Sequence, residues 1–109
     1  MSDRIASLRA HVGGPRDGAL LRYSLGSALL DAGHAAEAVA SLQTAVGFDP
    51  AYSAAWKLLG KACMAQDRPE AAAEAWRQGI RVAGTRGDKQ AQKEMQVFLR
   101  RAEKRITGS

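Results

Sequence analysis

Apolar and small residues return at steps of three and four along most of this chain. Trp56, Leu59, Gly60 and Cys63 fall at i, i+3, i+4 and i+7, and Ala72, Trp76, Gly79 and Ile80 repeat the spacing. That spacing lines one helix face, so residues 49–80 predict two amphipathic helices separated by the polar turn Gln66-Asp67-Arg68-Pro69. Upstream, Leu21, Leu25, Ala28 and Leu29 predict a helix over about 18–32, with Asp17 as its cap and Gly33 closing it. Ala38, Leu42, Ala45 and Val46 predict another over about 35–47. Asp49-Pro50 then reads as a helix start, Asp as cap and Pro at the first helical position, for a helix running to about Ala65. Asp67-x-x-Glu70 reads as a capping box for the helix that follows, to about Ala83.

The two ends carry single helices. Ile5, Leu8 and Val12 give a short stripe over 2–12, capped by Ser2 or Asp3 and ended by Gly13-Gly14-Pro15. Gly84-Thr85-Arg86-Gly87 reads as a turn, and Asp88 or Thr85 caps a last helix over about 88–105. Its stripe is Ala91, Met95, Phe98, Leu99, Ala102 and Ile106, with Thr107-Gly108-Ser109 as a frayed end.

The pattern repeats within the chain. Leu25-Gly26 stands 34 residues before Leu59-Gly60, and the same step takes Ala38 to Ala72, Leu42 to Trp76 and Val46 to Ile80. With Trp56-x-x-Leu59-Gly60, then Ala72-x-x-x-Trp76, and Pro50 as a closing proline, the chain resembles the tetratricopeptide repeat (TPR) family. The fold signature is Leu25, Gly26, Ala38, Trp56, Leu59, Gly60, Ala72 and Trp76. Departures are Arg22 at the family's Trp, Leu29 and Cys63 at its Tyr, and Gly84 at the second closing Pro. The resemblance implies an all-α fold, a short right-handed α-solenoid of two helix hairpins with a half-repeat helix at each end, six helices in all. It implies one domain over 1–109: an N-terminal half-repeat at 2–14, repeats at 19–52 and 53–86, and a capping helix at 88–106. Gly26 would let the facing helix approach near Ala38. In the last helix a strict 34-residue frame would bury Gln90, Lys93 and Glu94; one inserted residue near Gly87 buries Ala91, Met95 and Phe98 instead. The shifted frame is the expected one, because burying unpaired charge is costly.

The family's first helices line a concave groove that takes extended peptides or a partner's helix. Carried over position by position, the groove would hold Tyr23, Ser27, Lys57, Lys61, Met64, Lys89, Lys93 and Gln96. Lys57 and Lys61, like Lys89 and Lys93, are like charges at i, i+4, which repel; an acidic ligand would relieve this. The family's clamp for a peptide C-terminus is matched only in part, at Lys89 and Lys93, while Ser27 and Leu58 replace its Asn residues and Tyr23 its first Lys.

Charge sharpens that picture. The net charge is +5. Residues 1–50 hold four Arg against five Asp and Glu, whereas residues 51–109 hold twelve Lys and Arg against six. The basic excess of the second half favours an acidic partner. Chemistry is absent from the pattern: His11 and His34 are isolated, Cys63 sits on a core face, and Ser24 and Ser27 have no nearby His. No catalytic residue, metal ligand or cofactor is expected. No run of about 18 apolar residues predicts a membrane span, and the start, with charges at Asp3, Arg4 and Arg9 and no apolar h-region, is unlike a signal peptide. One cysteine fits a reducing cytoplasm.

The whole chain resembles small stand-alone bacterial proteins of this family, a group to which the resemblance attaches no particular partner. The expected function is that of a non-enzymatic, monomeric, cytoplasmic adaptor binding an acidic or C-terminal peptide, or a partner helix. The leading alternative is nucleic-acid binding through Arg100, Arg101, Lys104 and Arg105, as a phosphate-contacting patch rather than a base-stacking platform, because no aromatic residue interleaves with these charges; a third is self-association through solenoid edges.

Overall fold

The computed structural model describes residues 2–108, and side chains from residue 3 onward. Met1, Ser109 and the side chain of Ser2, a candidate cap, lie outside the described residues. Six helices follow in order: α1 (Ser2–Arg9), α2 (Ala19–Asp31), α3 (Ala35–Phe48), α4 (Ser53–Ala65), α5 (Pro69–Arg86) and α6 (Lys89–Thr107). Each packs on the next, and α4 also touches both α2 and α6. Thus α2, α4 and α6 form one layer, with α3 and α5 behind it, as in an α-solenoid. None of these helices is long and apolar enough to cross a membrane.

Glycines set the spacing between helices. A Cβ on Gly26 would stand 2.6 Å from Cγ of Leu42, so the residue it accommodates is Leu42 rather than Ala38. Gly60 accommodates Trp76 in the same way, one repeat later. Gly79 lies against Met95 and the Cβ of Trp56, bringing α6 onto α5. Leu29 on α2, Leu42 on α3 and Met95 on α6 are the largest fully buried side chains. Ala91 and Met95 are buried, as the shifted frame requires, whereas Phe98 is only half-buried.

The ends of the helices differ from the sequence pattern, for local reasons. Asp67 is not the start of a capping box. It sits at φ +58° two residues past α4, after the C-cap Gln66, with Arg68 N–H donating to Cys63 O at 3.0 Å. A left-handed backbone there is a C-terminal stop, incompatible with the extended N-cap conformation; the N-cap of α5 is Arg68, which makes no side-chain cap bond, followed by Pro69 at the helix start. Gly33 makes the same stop after α2, with His34 N–H on Leu29 O at 2.8 Å. Asp17 does not cap α2 either, since Gly18 holds that position. Its carboxylate instead accepts from the N–H groups of Gly13 and Gly18 and from Arg22, all at 2.8–2.9 Å.

Asp49-Pro50 belongs to a turn, not to the start of α4. Asp49 accepts from Ala51 N–H at 3.0 Å, and Trp56 Nε1 donates to Pro50 O at 2.8 Å. Gly84 is not a turn residue: α5 runs through it to Arg86, and Gly87 at φ +76° ends the helix. Asp88 caps α6 by accepting from Ala91 N–H at 3.1 Å, while the Thr85 hydroxyl donates to Arg81 O. α1 stops at Arg9, so Val12 lies past it, 41% exposed; Ile106 is 40% exposed rather than part of the core stripe. Thr107 is the last residue of α6 and Gly108 its left-handed cap.

Candidate functional site: the α4–α6 groove

Two side-chain rows face each other across the junction of α4 and α6. From α4 come Lys57, Lys61 and Met64, spaced at i, i+4, i+7; from α6 come Glu94, Phe98 and Arg101, spaced alike. Lys57 Nζ bonds Glu94 Oε1 at 2.8 Å. That bond, with a second from Gln90, holds the Glu94 carboxyl below its ordinary range. Lys61 Nζ lies 5.1 Å from the Phe98 ring centroid, a cation–π contact. Phe98 leans on Trp76, with centroids 5.4 Å apart. Trp76 is fixed in turn by Nε1 donating to Lys57 O at 3.0 Å.

Beyond the Lys57–Glu94 bridge the groove opens. Lys61, Met64, Trp76, Phe98 and Arg101 line a cavity of about 280 Å³. Met64 and Arg101 continue into a second of about 650 Å³, walled by Lys104, Arg105 and Gly108. Arg105 is ion-paired with Asp67, the turn residue after α4. The groove therefore has an apolar floor and cationic walls, and neither Lys61 nor Arg101 faces a carboxylate in an ion pair among the described residues.

The residues carried over from the groove pattern divide. Lys57, Lys61 and Met64 lie at this junction, although Lys57 is engaged by Glu94. Tyr23 stands further along the layer against Tyr52, centroids 5.1 Å apart, and Ser27 is half-buried on α2. Lys89, Lys93 and Gln96 are exposed and do not join them. Successive helix residues turn by about 100°. Since Ala91, Met95 and Ala102 point into the core and Glu94 and Phe98 toward α4, Lys89, Lys93 and Gln96 fall on the outward face of α6. The four cations of the nucleic-acid alternative are also separated: Arg101 and Arg105 turn to the groove side, Arg100 to the outward face.

Sequence reasoning missed Glu94, Phe98, Arg101 and Lys104 as groove residues. Glu94-x-x-x-Phe98-x-x-Arg101 has the spacing of a helical row, but Phe98 also fits the core stripe of Ala91 and Met95. Cys63 is 3% exposed, and burial pushes its thiol up, which keeps it protonated and unreactive.

Residues 29–85, more than half of the chain, match the tetratricopeptide repeat model. The chain belongs to the tetratricopeptide repeat family. Among curated proteins it is similar to the TPR repeat-containing protein PA0015 of Pseudomonas aeruginosa, 54% identical over 91 residues that span 84% of this chain and 87% of the relative. Among solved structures, protein BPP2914 of Bordetella parapertussis superposes with a TM-score of 0.78 at 40% identity, covering 92% of this chain and 87% of that one. A tetratricopeptide repeat domain protein of Salinibacter ruber gives 0.73 at 32% identity, covering 82% and 89%. TPR domains generally mediate protein–protein interaction, and these matches indicate no catalytic family.

Proposed function

We propose that this TPR protein is a non-enzymatic adaptor that takes an acidic peptide segment, or an acidic helix of a partner, in the groove between α4 and α6. The supporting observation is the juxtaposition of Met64 and Phe98, both half-buried, with Lys61 and Arg101, which make no ion pair among the described residues. Exposed Lys–carboxylate pairs contribute only ~0.2–1 kcal/mol each. The ligand therefore combines carboxylates with an apolar side chain seated on Met64 and Phe98. Micromolar affinity, about −8 kcal/mol, suits such a surface. Both walls come from one chain, so a monomer suffices. The proposed setting is the cytoplasm, where a lone buried thiol stays reduced.

A peptide array probed with the purified protein tests this reading. Peptides carrying Asp or Glu next to Leu, Phe or Met should dominate. Lys61→Glu with Arg101→Glu should weaken the best of them at least tenfold, and Lys89→Glu with Lys93→Glu should leave it bound. Selection of basic or charge-free peptides, or indifference to the groove pair, would remove the proposal.

A further inference from the structure

The outward face of α6 carries a row of cations. Lys89, Lys93, Arg100 and Lys104 fall within a sector of about 60° at 100° per residue. At a rise of 1.5 Å they extend over about 22 Å. All four are exposed, and their side chains make no ion pair or hydrogen bond among the described residues.

The acidic residues of the helix are placed elsewhere. α6 has two, Glu94 and Glu103. Glu94 is turned to α4 and bonded to Lys57, while Glu103 is turned to α5, 3.5 Å from Arg77. Glu94 is thus neutralised by α4, while Glu103, half-exposed with Arg77 beside it, stands about 40° from Lys89 on the α5 flank of the ridge. Gln96 and Val97 border it, and no aromatic residue does.

We infer that this ridge is a second binding surface, sharing only Lys104 with the wall of the groove, that docks on the phosphate backbone of duplex nucleic acid without reading sequence. Three physical comparisons favour that occupant. A protein interface takes its affinity from buried aromatic or aliphatic anchors, and the ridge offers none beyond Val97. A membrane-surface helix needs an apolar face to insert, whereas the apolar face of α6 is buried in the fold. A duplex needs neither, because counterion release by lysine and arginine drives non-specific binding. The inference does not rest on the groove reading.

Fluorescence anisotropy of a labelled 20-base-pair DNA duplex of arbitrary sequence, titrated with the whole chain between 50 and 200 mM KCl, tests it. With four phosphates neutralised, the log–log slope of affinity against salt should be about −3.6. A second duplex of unrelated sequence should bind equally. Lys93→Glu with Arg100→Glu should cut affinity at 50 mM KCl at least tenfold and flatten the slope, with an unchanged helical spectrum. Lys61→Ala, in the groove, should leave both readings as they are. Failure of the wild type to bind at 50 mM KCl overturns the inference, as does binding that survives the charge reversal. Equal displacement of the duplex by polyglutamate at matched charge would overturn the phosphate assignment, and stronger capture by vesicles of one-third phosphatidylserine would assign the ridge to membranes instead.

Discussion

The indole of Trp76 packs directly against Gly60. A Cβ on Gly60 would stand 2.7 Å from Cδ1 of the indole and closer still to Nε1 and Cε2. The ring cannot yield, because Nε1 is bonded to Lys57 O and its other side meets Phe98. Replacing a helical Gly by Ala gains up to about 1 kcal/mol of helix propensity. Overpacking a tight core contact costs about 1–3 kcal/mol. The second effect should win, so Gly60→Ala lowers the melting temperature, and urea denaturation should give a net loss of up to about 2 kcal/mol.

Gly47 and Gly33 test the backbone without the packing. A Cβ at either would meet nothing within 4 Å. Gly47 is within α3 at an ordinary helical φ, whereas Gly33 is at φ +85°. Gly47→Ala should therefore stabilise the protein by up to about 1 kcal/mol. Gly33→Ala should destabilise it by about 1–2 kcal/mol. Equal shifts in the urea midpoint for the two variants would contradict the assigned stop after α2.

The two tryptophans carry unequal weight. Trp76 is 3% exposed, while Trp56 is half-buried, its indole reaching out to close the turn at Pro50. Trp76→Ala should cost about 3–5 kcal/mol. Trp56→Phe keeps most of the packing and loses one hydrogen bond, about 1 kcal/mol. Equilibrium unfolding of both variants should rank them in that order, and Trp76 should dominate the blue-shifted part of the native emission.

Asp17 gives the protein a pH dependence of known sign. Its bond to Arg22, then that to Gly13 N–H, hold the carboxyl well below its ordinary 3.8. A carboxyl depressed in the native state contributes stability above the unfolded-state value, and that contribution is lost as pH falls through the native one. The melting temperature of the wild type should thus exceed that of Asp17→Asn at pH 7. The gap should close as pH falls below about 4, and a gap that is constant from pH 7 to pH 2 would show that the charge of Asp17 plays no part.

The apolar rows of α2 to α5 were legible in the sequence because a helix repeats every 3.6 residues whatever surrounds it. Leu25-Gly26 and Leu59-Gly60 declared the 34-residue period, and Ala91 and Met95 declared the packed face of α6. Helix ends were less legible. Asp67 can cap a helix or end one, and only the left-handed backbone demanded by the turn onto α5 chose between them. The site depended most on tertiary structure. Lys93 and Glu94 are neighbours in sequence, but a turn of about 100° sends one to solvent and the other to Lys57. That rotation is fixed by Met95 seating on Gly79, a contact between residues of different helices. The family's groove positions, carried over, put four lysines in one groove; packing put Glu94 and Phe98 there and left Lys89 and Lys93 on the outward ridge.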